Sequence, residues 1–163
     1  MKIDFYVKKY LKGHGESFNQ IYELTKKDVY LSIYIYIKDK STIEDLFQDT
    51  YMKIIDSIDK YELGTNFNAW VSKIARNIAI NYYNKMKKIE VKDPIEDNVV
   101  FDKVVRKTSV DYYLSCLVGE DKDIFILRIM LGYKFEDIDN ILGYKKNGSY
   151  YKYKKLIEKL KKF

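Results

Sequence analysis

Cysteine and histidine are almost missing from this chain of 163 residues. Cys116 stands alone, so no internal disulfide can form. His14 is the single histidine, which excludes zinc sites of the usual Cys/His kind and nucleophile chemistry built on more than one Cys–His pair. Pro94 is the only proline and there are seven glycines, too few turn residues for a strand-and-turn architecture. No apolar run approaches the roughly 20 residues that a membrane-spanning helix needs; the longest covers residues 30–37. There is no phosphate-cradling glycine loop, no nucleophile elbow and no metal-ligand cluster, so no catalysis, no cofactor and no metal are expected. Residues 1–12 are charged and amphipathic without a secretory core, and a reduced, cytoplasmic protein is the expectation.

What is present is enough to build a core. Hydrophobic residues make up 47% and charged residues 33%, which excludes a disordered tail. The net charge of +6 is unevenly placed. Residues 144–163 hold eight Lys and one Glu, and residues 84–92 hold four Lys and one Glu. Between them, residues 108–143 carry seven acidic groups against three basic ones. Two separated basic blocks on a balanced body read as two footprints for a polyanion. Only three arginines beside many Lys, Ile, Tyr and Asn match the residue set of an AT-rich genome, so part of the Lys and Tyr excess carries no function.

The apolar periodicity is helical nearly throughout. Ser17 with Gln20 and Ser41 with Glu44 form capping-box patterns. The first opens a helix burying Phe18, Ile21, Tyr22 and Leu24, and residues 30–37 read as a helix wholly inside a bundle. The second opens a helix over about 42–59 with Ile43, Leu46, Phe47, Ile54, Ile55 and Ile58 on one stripe. A third, opened by Asn66 and running to about Lys88, turns Phe67, Trp70, Val71, Ile74, Ala75 and Ile78 inward. The pattern lapses around Asp93-Pro94. Further helices are expected over about 99–118, 121–131, 135–142 and from Gly148 onward. The expected fold is all-α: two small helical domains, 1–88 and 99–163, joined by a short linker over 89–98, the second ending in a helix-turn-helix.

Three constellations carry chemistry. In the last, Gly143 ends a short helix and a polar turn leads into a basic one, so the second helix can cross the first steeply. Ser149, Tyr153, Leu156 and Leu160 face its core. Tyr150, Tyr151, Lys152, Lys154 and Lys155 point outward, with Lys suited to phosphates and Tyr to phosphates or base edges. The bland alternative is a solvated Lys-rich helix. Asp139 sits where the first helix of such motifs usually has a small residue.

The third helix offers a row of Lys73, Arg76, Asn77, Asn81, Asn84, Lys85 and Lys88, in which amides suit base edges and cations suit the backbone. Beside it, the loop over 63–68 supplies Gly64, Asn66, Phe67 and Asn68, equipment for an unstacked base. A plain polar face beside a buried Phe67/Trp70 core is the alternative. The second helix exposes Asp45, Gln48, Asp49 and Asp56, a face for a basic partner helix or simply a solvated one. Cys116, among Tyr112, Tyr113, Leu114 and Leu117, reads as core packing.

In this order the three signals resemble a known family. Ile43-Glu44-Asp45-Leu46-Phe47-Gln48-Asp49-Thr50-Tyr51 is similar to the "EDLxQxxF/Y" signature of the bacterial sigma-70 family of RNA polymerase sigma factors. Asn66-Phe67-Asn68-Ala69-Trp70-Val71-Ser72-Lys73-Ile74-Ala75-Arg76-Asn77 resembles its "FxxWxxxIARN" signature at the right distance. Phe135-Glu136-Asp137-Ile138 through Ile141-Leu142-Gly143 is similar to the start of its C-terminal helix-turn-helix. The shortness of the chain resembles the extracytoplasmic-function subclass.

The resemblance implies a transcription initiation factor, not an enzyme. Asp45, Leu46, Gln48 and Asp49 would dock on core RNA polymerase, at its β′ coiled coil, with the β subunit as a further contact. Asn66, Phe67, Asn68, Trp70, Lys73, Arg76, Asn77, Asn81 and Lys85 would open and read the promoter −10 element. Tyr150, Tyr151, Lys152, Lys154 and Lys155 would read the −35 element. Promoter DNA and an anti-sigma factor complete the implied partners. Two departures from the pattern are Lys145-Lys146-Asn147 in the last turn and Val118-Gly119 where Leu-Pro is usual. A stand-alone helix-turn-helix regulator would account for residues 133–163 alone, and a sequence-independent single-strand binder would use the Tyr-rich surface.

Overall fold

The computed structural model describes residues 2–90, 113, 114 and 116–161. They form seven α-helices and no strand. No described helix is long and apolar enough to cross a membrane.

Helix α1 (Lys2–Leu11) buries Ile3 and Val7, one turn apart, and ends before Gly13, whose φ of +93° turns the chain. Helix α2 (Phe18–Tyr34) buries Ile21, Thr25, Asp28, Val29, Ser32 and Ile33, the spacing of one helix face. Three of these six are polar. Two satisfy themselves along the helix: Thr25 Oγ1 donates to the Ile21 carbonyl at 2.7 Å, and Ser32 Oγ to that of Asp28 at 2.7 Å. The third, Asp28, finds its partners elsewhere.

Helix α3 (Lys40–Ser57) buries Ile43, Leu46, Thr50, Tyr51 and Ile54. Helix α4 (Phe67–Glu90), about 36 Å long at 1.5 Å per residue, packs along both α2 and α3. The fully buried Phe67, Ile21, Ile33, Ile54, Val7, Val29 and Val71 fill the space between these helices. Burying one such side chain stabilises by roughly 1.5–3 kcal/mol.

The second half is smaller. Helix α5 (Gly119–Ile124) widens into a π-helical stretch over Phe125–Met130, Gly132 turns the chain at φ +71°, and α6 (Phe135–Leu142) and α7 (Gly148–Leu160) follow. Its apolar residues do not close on themselves. Ile35 packs into the cluster of Leu114, Leu117, Ile124, Phe125, Ile126 and Leu156, and Ala69 packs into that of Leu127, Tyr133, Ile138 and Ile141.

The helices match expectation in type, with local differences. Neither capping box forms. Ser17 lies in a 3-10 turn with its side chain buried and making no cap bond, so Gly15–Ser17 precedes α2 instead. Asp39 caps α3: its carboxylate accepts from the Thr42 amide and hydroxyl, each at 2.8 Å, drawing the start ahead of Ser41. The 30–37 stretch is not wholly inside, because α2 stops at Tyr34 and Tyr30 is exposed. Tyr22 and Leu24 are exposed too. Cys116 is exposed rather than core. The linker expected over 89–98 starts too early, because α4 runs to Glu90; its remaining residues and most of the helix expected over 99–118 lie outside the described residues.

Candidate nucleic-acid interface

Asn66 fixes where α4 begins. Its Oδ1 accepts from the Ala69 amide at 3.2 Å, the N-cap bond, and this leaves its Nδ2 free to donate elsewhere. The loop before it is held from below. The Tyr61 hydroxyl sits 2.7 Å from the Thr65 carbonyl and 3.0 Å from Asp4, and Gly64 takes φ +94°. Burial pushes the Tyr61 phenol up to about 12, so it stays a donor at neutral pH. Tyr61, Phe67 and Trp70 pack ring to ring at 4.8–5.7 Å.

From this anchored start α4 presents its row. Lys73, Asn77, Asn81, Asn84, Lys85 and Lys88 are exposed at helical spacing. Arg76 is half-buried. Its Nη2 lies 3.2 Å from Asp123 Oδ2, and its guanidinium sits 5.6 Å from the Tyr36 ring.

On α3, Asp45, Gln48, Asp49 and Asp56 are exposed and form a ridge between two grooves. On one flank Phe18, Tyr22, Tyr30, Phe47 and Tyr51, with Glu44 and Gln48, line an apolar groove of about 460 Å³. On the other, Asp49, Met52 and Asp56 face Asn77 and Asn81 of α4 across a more polar groove of about 440 Å³. A ridge with a carboxylate on one shoulder and aromatic rings on the other suits a helix carrying cationic and apolar side chains.

On α7, Tyr150, Tyr151, Lys154 and Lys155 are exposed. Tyr150 stands edge-on against Phe135 at 5.3 Å, and Lys154 Nζ lies 4.9 Å from the Tyr150 ring centre. Asp139 explains the turn. Its carboxylate accepts from the Asn147 amide at 2.8 Å and the Ser149 amide at 2.7 Å, so an acid where a small residue was expected ties α6 to the first turn of α7. Gly148 is required there, since a Cβ would come within 2.8 Å of Tyr144 Cβ.

The Sigma-70 region 2 family model matches residues 21–89, which span α2 from Ile21, all of α3 and α4 to its penultimate residue. The ECF RNA polymerase sigma factor SigX of Bacillus subtilis (strain 168) is 24% identical over 143 residues, covering 79% of this chain and 74% of SigX. The RNA polymerase sigma factor SigV of the same organism is 29% identical over 126 residues, covering 72% and 73%. Residues 21–89 are a sigma-70 region 2. The fold of the chain is also similar to that of the sigma factor RpoE from Bartonella quintana, solved with the anti-sigma factor NepR, at a TM-score of 0.69 and 22% identity over 90% of this chain and 96% of that one.

Two expected contact residues are core residues. Leu46 is 5% exposed beneath the α3 ridge, so Asp45, Gln48 and Asp49 face out without it. Phe67 is fully buried in the core between Tyr61 and Trp70, so its ring cannot receive a base; it supports the half-buried Trp70. Lys152 is half-buried and paired with Glu120.

Sequence reasoning missed the partners of these residues. Asn66 Nδ2 donates to Asp137 Oδ2 at 2.8 Å, and Asn68 Nδ2 to Asp28 Oδ2 at 2.8 Å. Asp28 also accepts from the Tyr133 hydroxyl, whose oxygen in turn lies 3.0 Å from Ser72 Oγ. The Tyr36 hydroxyl lies 2.9 and 3.0 Å from the two oxygens of Asp123. Burial pushes the carboxyls of Asp28 and Asp123 above their ordinary value, despite these donors. A signal existed in Asp28 and Asp123, each an acid at an inward position of its helix.

Proposed function

We propose that this chain is a sigma factor that binds core RNA polymerase through the exposed α3 ridge and directs it to specific promoters. The loop over 63–68 and α4 open and read the −10 element, through Asn66, Asn68, Trp70, Lys73, Arg76, Asn77, Asn81 and Lys85. Helix α7 reads the −35 element, with Tyr150 and Tyr151 toward the bases and Lys152, Lys154 and Lys155 toward phosphates. The division of labour follows two units, the first running to the end of α4 at Glu90 and the second over 99–163. An anti-sigma factor, the kind of partner with which RpoE was solved, is a further expected partner.

The observation that carries this reading is the ridge. Asp45, Gln48 and Asp49 are exposed side by side on the helix that the region 2 match covers, while the other side of that helix supplies the core. Exposed carboxylates contribute little to stability, so they can be changed without unfolding the protein. Run-off transcription with purified core enzyme on the gene's own upstream region tests the function. Asp49→Lys with Gln48→Ala should weaken association with core polymerase at least about tenfold, as expected for reversed rim charge, and leave the helical circular dichroism unchanged. Undiminished co-elution with core polymerase would remove the docking assignment.

A further inference from the structure

Of the two asparagines at the start of α4, one amide is fully used and the other is used at one end only. Asn66 has a partner at each end, the Ala69 amide on Oδ1 and Asp137 on Nδ2. Asn68 has both its partners at the nitrogen. Its Nδ2 donates to Asp28 Oδ2 at 2.8 Å and lies 3.2 Å from the Leu24 carbonyl of α2. The residue is half-buried, and its Oδ1 accepts nothing from any described residue and is open to solvent.

An asparagine side chain ordinarily serves either kind of partner. Half a turn about its last bond exchanges a donor for an acceptor at nearly the same place. Here chemistry blocks that turn. Both groups facing Nδ2 are acceptors, a buried carboxylate and a backbone carbonyl, so the turned amide would set Oδ1 against both. That arrangement loses two hydrogen bonds and gains repulsion in their place. Asp28 is itself fixed. It is 8% exposed on the inward face of α2, and the same oxygen takes the Tyr133 hydroxyl. The outward end of Asn68 is therefore an acceptor and stays one.

Bases differ at the edge that such an atom meets. Adenine and cytosine carry an exocyclic amine where thymine and guanine carry a keto oxygen. A base taken out of the stack is read along its pairing edge. We infer that Asn68 determines base choice at the −10 site and that Asp28 positions it: the locked amide offers Oδ1 alone, so the site selects a base with an amino group, adenine or cytosine. A keto base is rejected because it apposes two acceptors, and it reaches Oδ1 only by sliding along the site to present its ring N–H. Discrimination of this kind comes from the unpaired group built against the wrong base as much as from the bond to the right one. The inference rests on the promoter-reading role proposed above and names the class of base which that role requires.

The test uses the full chain bound to purified core polymerase, with a library of single-stranded DNA 20-mers randomised at every position. Core polymerase alone supplies the background. Sequencing the retained strands gives a base preference at each position of the selected motif. The unsubstituted protein should favour adenine or cytosine over thymine and guanine about fivefold at one position, the worth of one hydrogen bond. Asn68→Ala should erase that preference and leave the other positions as they were. Asp28→Asn keeps the size of the side chain but can offer Asn68 a donor or an acceptor, so the amide is released and the preference should shrink toward none. Tyr133→Phe removes the other donor to Asp28, spares the bond to Asn68 and should leave the preference intact. A second measurement removes only the amine from a selected strand, with purine in place of adenine or 2-pyrimidinone in place of cytosine. That strand should bind the unsubstituted protein about fivefold more weakly than its parent, and Asn68→Ala should bind the two alike.

Thymine or guanine at the position that depends on Asn68 overturns the inference and leaves the promoter-reading role standing. A motif that Asn68→Ala does not alter has the same consequence. So does a preference that Asp28→Asn leaves unchanged, or one that Tyr133→Phe erases equally, since the effect is then a general loosening of the site. Should Asp28→Asn lose its helical circular dichroism, the strands without the amine decide the matter with Asn68→Ala alone. No enriched motif above background retires the proposed −10 role itself, and the inference with it.

Discussion

A buried aspartate inside a helix stripe is costly unless donors surround it, and Asp28 shows how far that support extends. It is 8% exposed and receives Tyr133 and Asn68, yet burial still holds its carboxyl above the ordinary value of 3.8. A raised value in the folded state means that the folded chain keeps this proton in a window where the unfolded chain has lost it. Stability associated with Asp28 is therefore complete below about pH 3.8 and declines as pH rises through the raised value. Asp28→Asn, which carries no such proton, should remove this slope. Melting temperatures measured between pH 4 and 7 should show the unsubstituted protein losing ground to the variant as pH rises. Parallel curves would mean that Asp28 titrates alike in both states. Asp123 shifts in the same direction, again mainly from burial, so the difference between the two proteins rather than either curve alone isolates Asp28.

Helix type and order were legible from sequence because apolar spacing sets which face is buried, and that spacing is local. The start of α4 at Asn66 was legible for the same reason, as an amide one residue ahead of an apolar stripe. Leu46 and Gln48 are two residues apart in one motif, and the apolar spacing already put Leu46 inside and Gln48 outside; only the resemblance counted Leu46 as a contact, and packing sides with the spacing. Details that depend on distant partners were not legible. Asp139 looked misplaced because its role is to accept amides eight and ten residues further on. With α7 tied down by that clasp, its first turn holds Tyr150 and Tyr151 in fixed positions, and its later lysines flank them. The two residue types should then behave differently on −35 DNA. Lys155→Ala should weaken binding to all sequences alike and lower the salt slope by about 1. Tyr151→Ala should cost about 1–3 kcal/mol at one base position and leave the slope nearly unchanged. Binding titrations on a set of single-base variants at several salt concentrations separate the two. If neither Tyr151→Ala nor Tyr150→Ala alters sequence preference, α7 only holds DNA and specificity lies with α4.

For the whole molecule, the decisive feature is that the halves share apolar clusters rather than merely touching. Ile35, at the end of α2, lies in the cluster that includes the fully buried Leu156 of α7, and Ala69 of α4 lies in the cluster of α6. Damage to one half should therefore be felt in the other. Trp70, the single tryptophan, packs against the first half's core and supplies a local probe, while far-UV circular dichroism reports all helices together. Leu156→Ala leaves a cavity in the second half and should cost about 2–5 kcal/mol. If the halves unfold as one unit, the Trp70 fluorescence transition in denaturant coincides with the circular dichroism transition, and Leu156→Ala moves both to lower denaturant together. Combining Asp123→Asn with Asp137→Asn, which weakens the contacts with Arg76 and Asn66, should split them: with the halves parted, Leu156→Ala shifts only part of the helical signal and leaves the Trp70 transition where it was. A Trp70 transition that ignores Leu156→Ala in the unsubstituted background would mean that the shared clusters contribute no measurable coupling between the halves.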